Sequence, residues 1–122
     1  MAVASLRGIH EDFAWFVVAG NVLAGLWALA AHFREPFRVR ALWWFTLVAE
    51  LTVFVQVSLG VGMVAGQDIE APQFHMFYGF LAIIAIGMIY SYRHQMSDRR
   101  YLLYGGGGLF VMGLGIRAML LG

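Results

Sequence analysis

The chain has 122 residues, 61% of them hydrophobic and 12% charged, and a formal net charge of +1. Soluble domains usually carry about a quarter charged residues, and a chain this short cannot bury so much apolar surface in a water-facing core. A charge this small, dispersed at segment ends, gives no footprint for nucleic acid, and the lack of cysteine excludes disulfides, thiolate metal sites and dithiol redox chemistry.

A positive mean hydropathy and several uninterrupted apolar runs point instead to lipid as the solvent, and so to an all-α integral membrane protein. Four runs exceed the roughly 20 residues needed to cross a bilayer. They predict helices over residues 10–33, 39–66, 73–95 and 100–121, in a single membrane domain covering 1–122. The first run follows "GIHEDF" and contains "ALAA" at 28–31, which has the look of a cleavage site. Its length and its acids, Glu11 and Asp12, separate it from a secretory signal, and it reads as a retained spanning helix. "FREPFRVR", "GQDIEAPQ" and "RHQMSDRR" supply the polar breaks. Links this short make successive helices antiparallel neighbours in an up-down four-helix bundle. Each half begins near a histidine, turns at an arginine cluster and returns through a glycine-containing helix, so the chain also reads as two weakly similar parallel hairpins.

All eight basic residues are arginines. Arg34, Arg38 and Arg40 stand in the first link and Arg93, Arg99 and Arg100 in the third, whereas the second link has Asp68 and Glu70. The positive-inside rule then places the first and third links in the cytoplasm, with both termini and the second link outside, in a bacterial inner membrane. Tryptophans and tyrosines fall mostly near segment ends, as an interfacial belt requires. The fourth helix, "LLYGGGGLFVMGLGIRAMLLG", has glycine over much of its surface, which permits close backbone approach to another helix. Gly62 and Gly66 offer the same on the second helix.

Two groups of polar residues invite a functional reading. Glu50 lies about ten residues, or ~15 Å, beyond Arg40, near the middle of the second helix. A charge there costs roughly 2.5–3.5 kcal/mol on insertion scales, so Glu50 should face the bundle interior, paired or protonated. Asn21 shares its depth and Thr46 stands one turn away, which predicts a Glu50–Asn21 hydrogen bond pinning the first two helices together; Thr52 and Gln56 project onto another face.

The second group is histidine. His10 opens the first run and His75 the third, at matching depth on helices that an up-down bundle places diagonally; His32 and His94 flank arginines at the other end, roughly 30 Å away by helical rise. Ala14 follows His10 by four and Gly79 follows His75 by four, leaving room for a flat macrocycle. Two opposed imidazoles suit a b-type haem, and Arg117, near the end of the fourth helix, has the level to pair with a propionate. The arrangement resembles four-helix transmembrane b-type cytochromes in architecture, although those commonly place their histidines further inside the helices. Zinc or copper is a weaker fit: Glu11, Asp12, Asp68, Glu70, Met63 and Met76 supply donors but no closely spaced motif.

No nucleophile–base pair, phosphate loop or carboxylate pair appears, and the links are too short for a soluble catalytic domain, so no catalytic activity of the chain's own is expected. Three functions remain. The first is a small accessory or assembly subunit of a larger membrane complex, plausibly respiratory, docking other subunits or copies of itself through the glycine face and Gln56. The second is a haem b electron carrier ligated by His10 and His75. The third is an oligomeric transporter or channel centred on Glu50.

Overall fold

Charge and proline set the helix ends. A computed structural model describes residues 6–66 and 71–121; among them are four α-helices, α1 (Leu6–Phe33), α2 (Arg40–Gly66), α3 (Gln73–Ser91) and α4 (Arg100–Leu121). Asp68 and Glu70, on which part of the orientation and metal-ligand expectations rest, lie outside the described residues. All four helices are long and apolar enough to cross a membrane.

α1 begins before residue 10 because its polar start is itself helical: Arg7 and Glu11, one turn apart, pair at 3.1 Å on an exposed face. His10 therefore lies within the second turn and not at the helix start. At the other end Arg38 folds back, its Nε donating to the Ala31 carbonyl at 2.6 Å and its Nη2 to that of His32 at 3.0 Å. Those carbonyls have no partner within the helix, and a guanidinium there also suits the negative end of the helix dipole. Trp27 Nε1 donates to the Phe37 carbonyl at 3.1 Å, which ties down a short link whose 3-10 turn holds Pro36. α3 ends at Ser91, short of the expected residue 95. Ser91 Oγ donates to the Gly87 carbonyl at 2.7 Å, and Arg93 donates to that of Tyr90 at 2.8 Å while its guanidinium covers the Tyr90 ring at 3.6 Å. The Arg93 side chain satisfies the Tyr90 carbonyl, which a further turn would have used, and the Tyr92 backbone N–H caps the Met88 and Ile89 carbonyls.

The bundle is an open ring. α1 packs along both α2 and α4, and α3 along α4, but α2 and α3 scarcely meet. α1 and α3 are thus diagonal, as the connection lengths implied. The main core joins Val17, Val53, Ile86, Ile89, Val111 and Met112; a second cluster of Ala28, Ala31 and Leu42 fills the arginine-rich end. There Trp43 stacks on Tyr101 at 5.4 Å and meets Tyr104 edge-on at 5.2 Å.

Small residues close the α1–α4 seam. A Cβ on Gly105 would stand 2.7 Å from the Leu29 backbone nitrogen, and one on Gly108 would meet the Gly25 Cα at 3.6 Å. Gly107 turns towards α3, where a Cβ would strike the Ile89 side chain at 2.7 Å. These three glycines are filled from within the chain, whereas Gly106 and Gly113 are exposed with nothing within 4 Å, so only part of the expected glycine surface is occupied by the chain's own helices. Gly66 likewise has nothing within 4 Å. Large apolar side chains cover the outside: Phe16, Phe33, Trp15 and Leu120 are all more than 60% exposed, which is compatible with lipid contact around the bundle.

Candidate functional site

Where α2 and α3 part, a cavity of about 570 Å³ opens between them, and all four helices line it. Its walls are mostly apolar. Convergent polar side chains, His10, His75 and Gln56, enter it beside the small residues Ala14, Gly60 and Gly79. A mainly apolar space of a few hundred Å³ with a few aimed polar groups is the usual form of a small-molecule or cofactor site.

The two histidines reach it from opposite sides. His10 comes from the second turn of α1 and His75 from the first turn of α3, and their ring centroids are 6.0 Å apart with planes at 79°. Metal–imidazole nitrogen bonds are about 2 Å long, so two rings on opposite sides of one metal ion have centroids roughly 6 Å apart. The centroid separation is therefore the one a shared metal would require.

His75 is fixed by α4. Its Nδ1 lies 2.6 Å from the Ala118 carbonyl oxygen. A carbonyl can only accept, so Nδ1 carries the proton and the neutral ring keeps its lone pair on Nε2. A histidine held through one nitrogen to a backbone carbonyl, with the other free, is the usual arrangement of a metal-ligating imidazole.

His10 is fixed differently. Its backbone carbonyl accepts from Gln56 Nε2 at 2.7 Å, and its ring lies against Gly60, where a Cβ would come within 3.3 Å of His10 Cε1. An alanine at position 60 would press on the imidazole by a few tenths of an ångström. His10 Nδ1 and Gln56 Oε1 are both buried without a hydrogen-bond partner.

Several expected participants are elsewhere. Arg117 is exposed, with its guanidinium 6.0 Å from the Tyr78 ring, and does not line the cavity; the cation that does is Arg7. His32 meets Phe33 edge-on at 4.9 Å at the arginine-rich end, and His94 is exposed. Among the described residues no three histidine, aspartate or glutamate side chains gather around a common point. Met63 and Met76 line the cavity, as does Glu11.

The mid-span polar group differs from expectation in its partners. Asn21 does join α1 to α2, but its Nδ2 donates to the Ala49 carbonyl at 2.8 Å and approaches Thr52 Oγ1 at 3.4 Å, with the Val17 carbonyl at 2.8 Å as its bond within α1. Glu50 is not a partner. The reason is the repeat. The α1-facing seam of α2 runs through Leu42, Thr46, Ala49, Val53, Gln56 and Gly60, alternating steps of four and three, and the buried residues of α2 follow it. That is the 3.5-residue period of supercoiled bundles, and it turns Glu50 away from α1. Glu50 is half-buried, within electrostatic reach of Tyr104, and makes no ion pair or hydrogen bond among the described residues. Thr46 is buried on the seam with its Oγ1 unpartnered.

Gln56, Gly60, Arg7 and Ala118 are the site residues that sequence reasoning did not assign to it. The four-three spacing along α2 carried the signal for the first two. For Ala118, whose contribution is a backbone carbonyl, no sequence signal exists. No family model matches the chain, and comparison with curated proteins and with solved structures likewise finds no match.

Proposed function

We propose that the chain is a membrane-embedded b-type haem protein that carries electrons, with His10 and His75 as axial ligands in the cleft between α2 and α3. The observation that carries this reading is the histidine pair itself: two imidazoles 6.0 Å apart across a cavity of about 570 Å³, one of them already held through Nδ1 with its lone pair free.

The donor chemistry favours haem over a bare metal ion. Zinc sites take four protein ligands, or three plus water, whereas here two imidazoles converge without a third His, Asp or Glu among the described residues. A macrocycle brings its own four nitrogens and asks the protein for only two more. Ala14 and Gly79 leave room beside the ring pair, Gly60 lets the His10 ring lie against α2, and Arg7, now paired with Glu11, is the cavity-lining cation that would turn to a propionate. When bound, the haem iron would supply one-electron redox chemistry; this chain's residues hold it, exclude water with an apolar wall, and tune it through the axial pair.

The arginine-rich links supply the orientation: they face the cytoplasm of a bacterial cell, and the haem site lies towards the outer leaflet. A carrier with no catalytic site of its own needs redox partners, which in a bilayer are other membrane proteins. The accessory-subunit reading keeps part of its support: Gly105, Gly107 and Gly108 meet Leu29, Ile89 and Gly25, whereas Gly106 and Gly113 have nothing within 4 Å and leave a small glycine surface open to a partner. The transporter reading rests on Glu50 alone, which makes no hydrogen bond or ion pair among the described residues.

Purification in mild detergent, with added haem if the preparation is colourless, tests the proposal. A Soret band with the paired α and β bands of low-spin bis-imidazole haem is expected, and His75→Ala and His10→Ala should each lose it while remaining helical. A folded protein that stays colourless after haem addition rejects the reading.

A further inference from the structure

The two orphaned polar atoms in the cleft have one simple common explanation. His10 Nδ1 and Gln56 Oε1 are both buried and both unpartnered. Their residues already touch, since Gln56 Nε2 donates to the His10 carbonyl at 2.7 Å. An unpaired buried polar atom costs roughly 1–3 kcal/mol, so two on residues already in contact are natural partners for each other, with the Gln56 backbone as the competing acceptor beside the His10 ring. The chemistry is complementary in only one sense. An amide oxygen only accepts, so the imidazole must donate from Nδ1.

We propose that Gln56 is the positioning residue for His10. Its carboxamide grips that residue twice, through Nε2 on the backbone carbonyl and through Oε1 on the ring Nδ1–H. Donation from Nδ1 puts the His10 lone pair on Nε2, the tautomer that Ala118 already imposes on His75 through its carbonyl at 2.6 Å. The two histidines then present equivalent nitrogens to the cleft, one oriented by a side chain and the other by the main chain. Gly60, one turn beyond Gln56, is the complementary half of the device: lacking a Cβ, it lets the ring edge lie flat on α2, where a methyl group would come to 3.3 Å. The bond itself is a property of the empty protein, whereas its consequence for ligation rests on the haem reading.

The test uses the full chain in detergent, labelled with ¹⁵N-histidine, with His10→Ala identifying the His10 signals. In wild-type protein without haem, His10 should give the Nδ1–H tautomer. Gln56→Leu, close in volume and without polar atoms, should convert His10 to a mixture of tautomers and weaken binding of added ferric haem b by roughly 10- to 100-fold, the usual scale for loss of a ligand's hydrogen-bond partner. Gln56→Glu keeps an acceptor. It loses the donor to the His10 carbonyl but should restore the tautomer and recover haem retention part of the way from the Gln56→Leu level. It should also move the midpoint potential to more negative values, because an anionic acceptor makes the imidazole a stronger donor to ferric iron. A wild-type His10 found as the Nε2–H tautomer overturns the proposal even if every variant fails to fold, as does a Gln56→Leu protein whose His10 signals are unchanged. If the Nδ1–H tautomer is present and depends on Gln56 but no variant or wild type takes up haem, the positioning role stands and the haem reading fails.

Discussion

Along the seam between α1 and α4 the helices approach backbone to backbone, whereas α2 and α3, similarly supplied with glycine and alanine, scarcely meet. The difference lies in what stands opposite each glycine. Gly105 faces the Leu29 main chain and Gly108 faces Gly25, so nothing holds the helices apart. Gly79 has nothing within 4 Å, and Gly60 faces the His10 ring. A small residue draws helices together only where its counterpart is also flat. Opposite a bulky side chain, or beside a wedge such as the His10–His75 pair, the same residue leaves space. One seam therefore holds the bundle together while the other stays open as a cleft.

The largest effect should come from filling the open seam. Gly79→Phe puts a ring into the cleft from a position whose Cβ would meet nothing within 4 Å, and the cavity of about 570 Å³ supplies the space for it. Haem uptake should fall to background while helicity and thermal stability stay close to wild type. A Gly79→Phe protein that still shows a full Soret band would mean that the macrocycle does not occupy this cleft.

Crowding the closed seam should do the reverse. Gly105→Ala brings a Cβ to 2.7 Å from a backbone nitrogen, which no rotamer change can relieve, and overpacking of this kind costs about 1–3 kcal/mol. Reversible unfolding in mixed micelles should show that loss, while the neighbouring Gly106→Ala, with open space around it, should be neutral or slightly stabilising through helix propensity. Equal effects at the two positions would contradict the seam.

A smaller change is expected at Asn21, whose two bonds to α2 stand between the seams. Interhelical polar contacts in membranes average about 0.6 kcal/mol and reach ~1.7, so Asn21→Leu should cost an amount in that range. The loss should persist in a Glu50→Gln background, since Ala49 and Thr52 receive the bonds and Glu50 does not. Non-additivity between the two substitutions would instead restore the Glu50–Asn21 pairing.

The sequence made some of this legible and hid the rest for identifiable reasons. Hydropathy and link length were enough for four helices and for α1 opposite α3, and equal depth then brought His10 to His75. Helix rotation was harder. A projection at 100° per residue put Thr46 with Glu50 and sent Gln56 to another face, whereas the 3.5-residue repeat of the packed bundle collects Thr46, Ala49, Val53 and Gln56 on one line. An error of tens of degrees, accumulated over a few turns, is enough to exchange a lining residue for an exposed one. Arg117 shows the same at the end of α4, exposed beside the buried Ala118. Depth follows from counting residues, but orientation around the axis needs the neighbouring helices.

Glu50 gives the smallest expected effect and the sharpest test of whether the open seam is the chain's working site. It lies away from the cleft, with no cation facing it among the described residues and Tyr104 as its electrostatic neighbour. A carboxamide of nearly the same shape keeps every contact the carboxyl makes, so Glu50→Gln should alter unfolding stability by no more than about 0.5 kcal/mol, the scale of substitutions that break no specific interaction. Haem content and midpoint potential should also be unchanged, since the side chain does not reach the cavity wall. A stability loss well beyond that scale would reveal a charged, paired carboxylate. A shifted potential at unchanged haem content would tie the acid electrostatically to the histidine pair, and the separation between filled end and open end would have to give way to one continuous polar core.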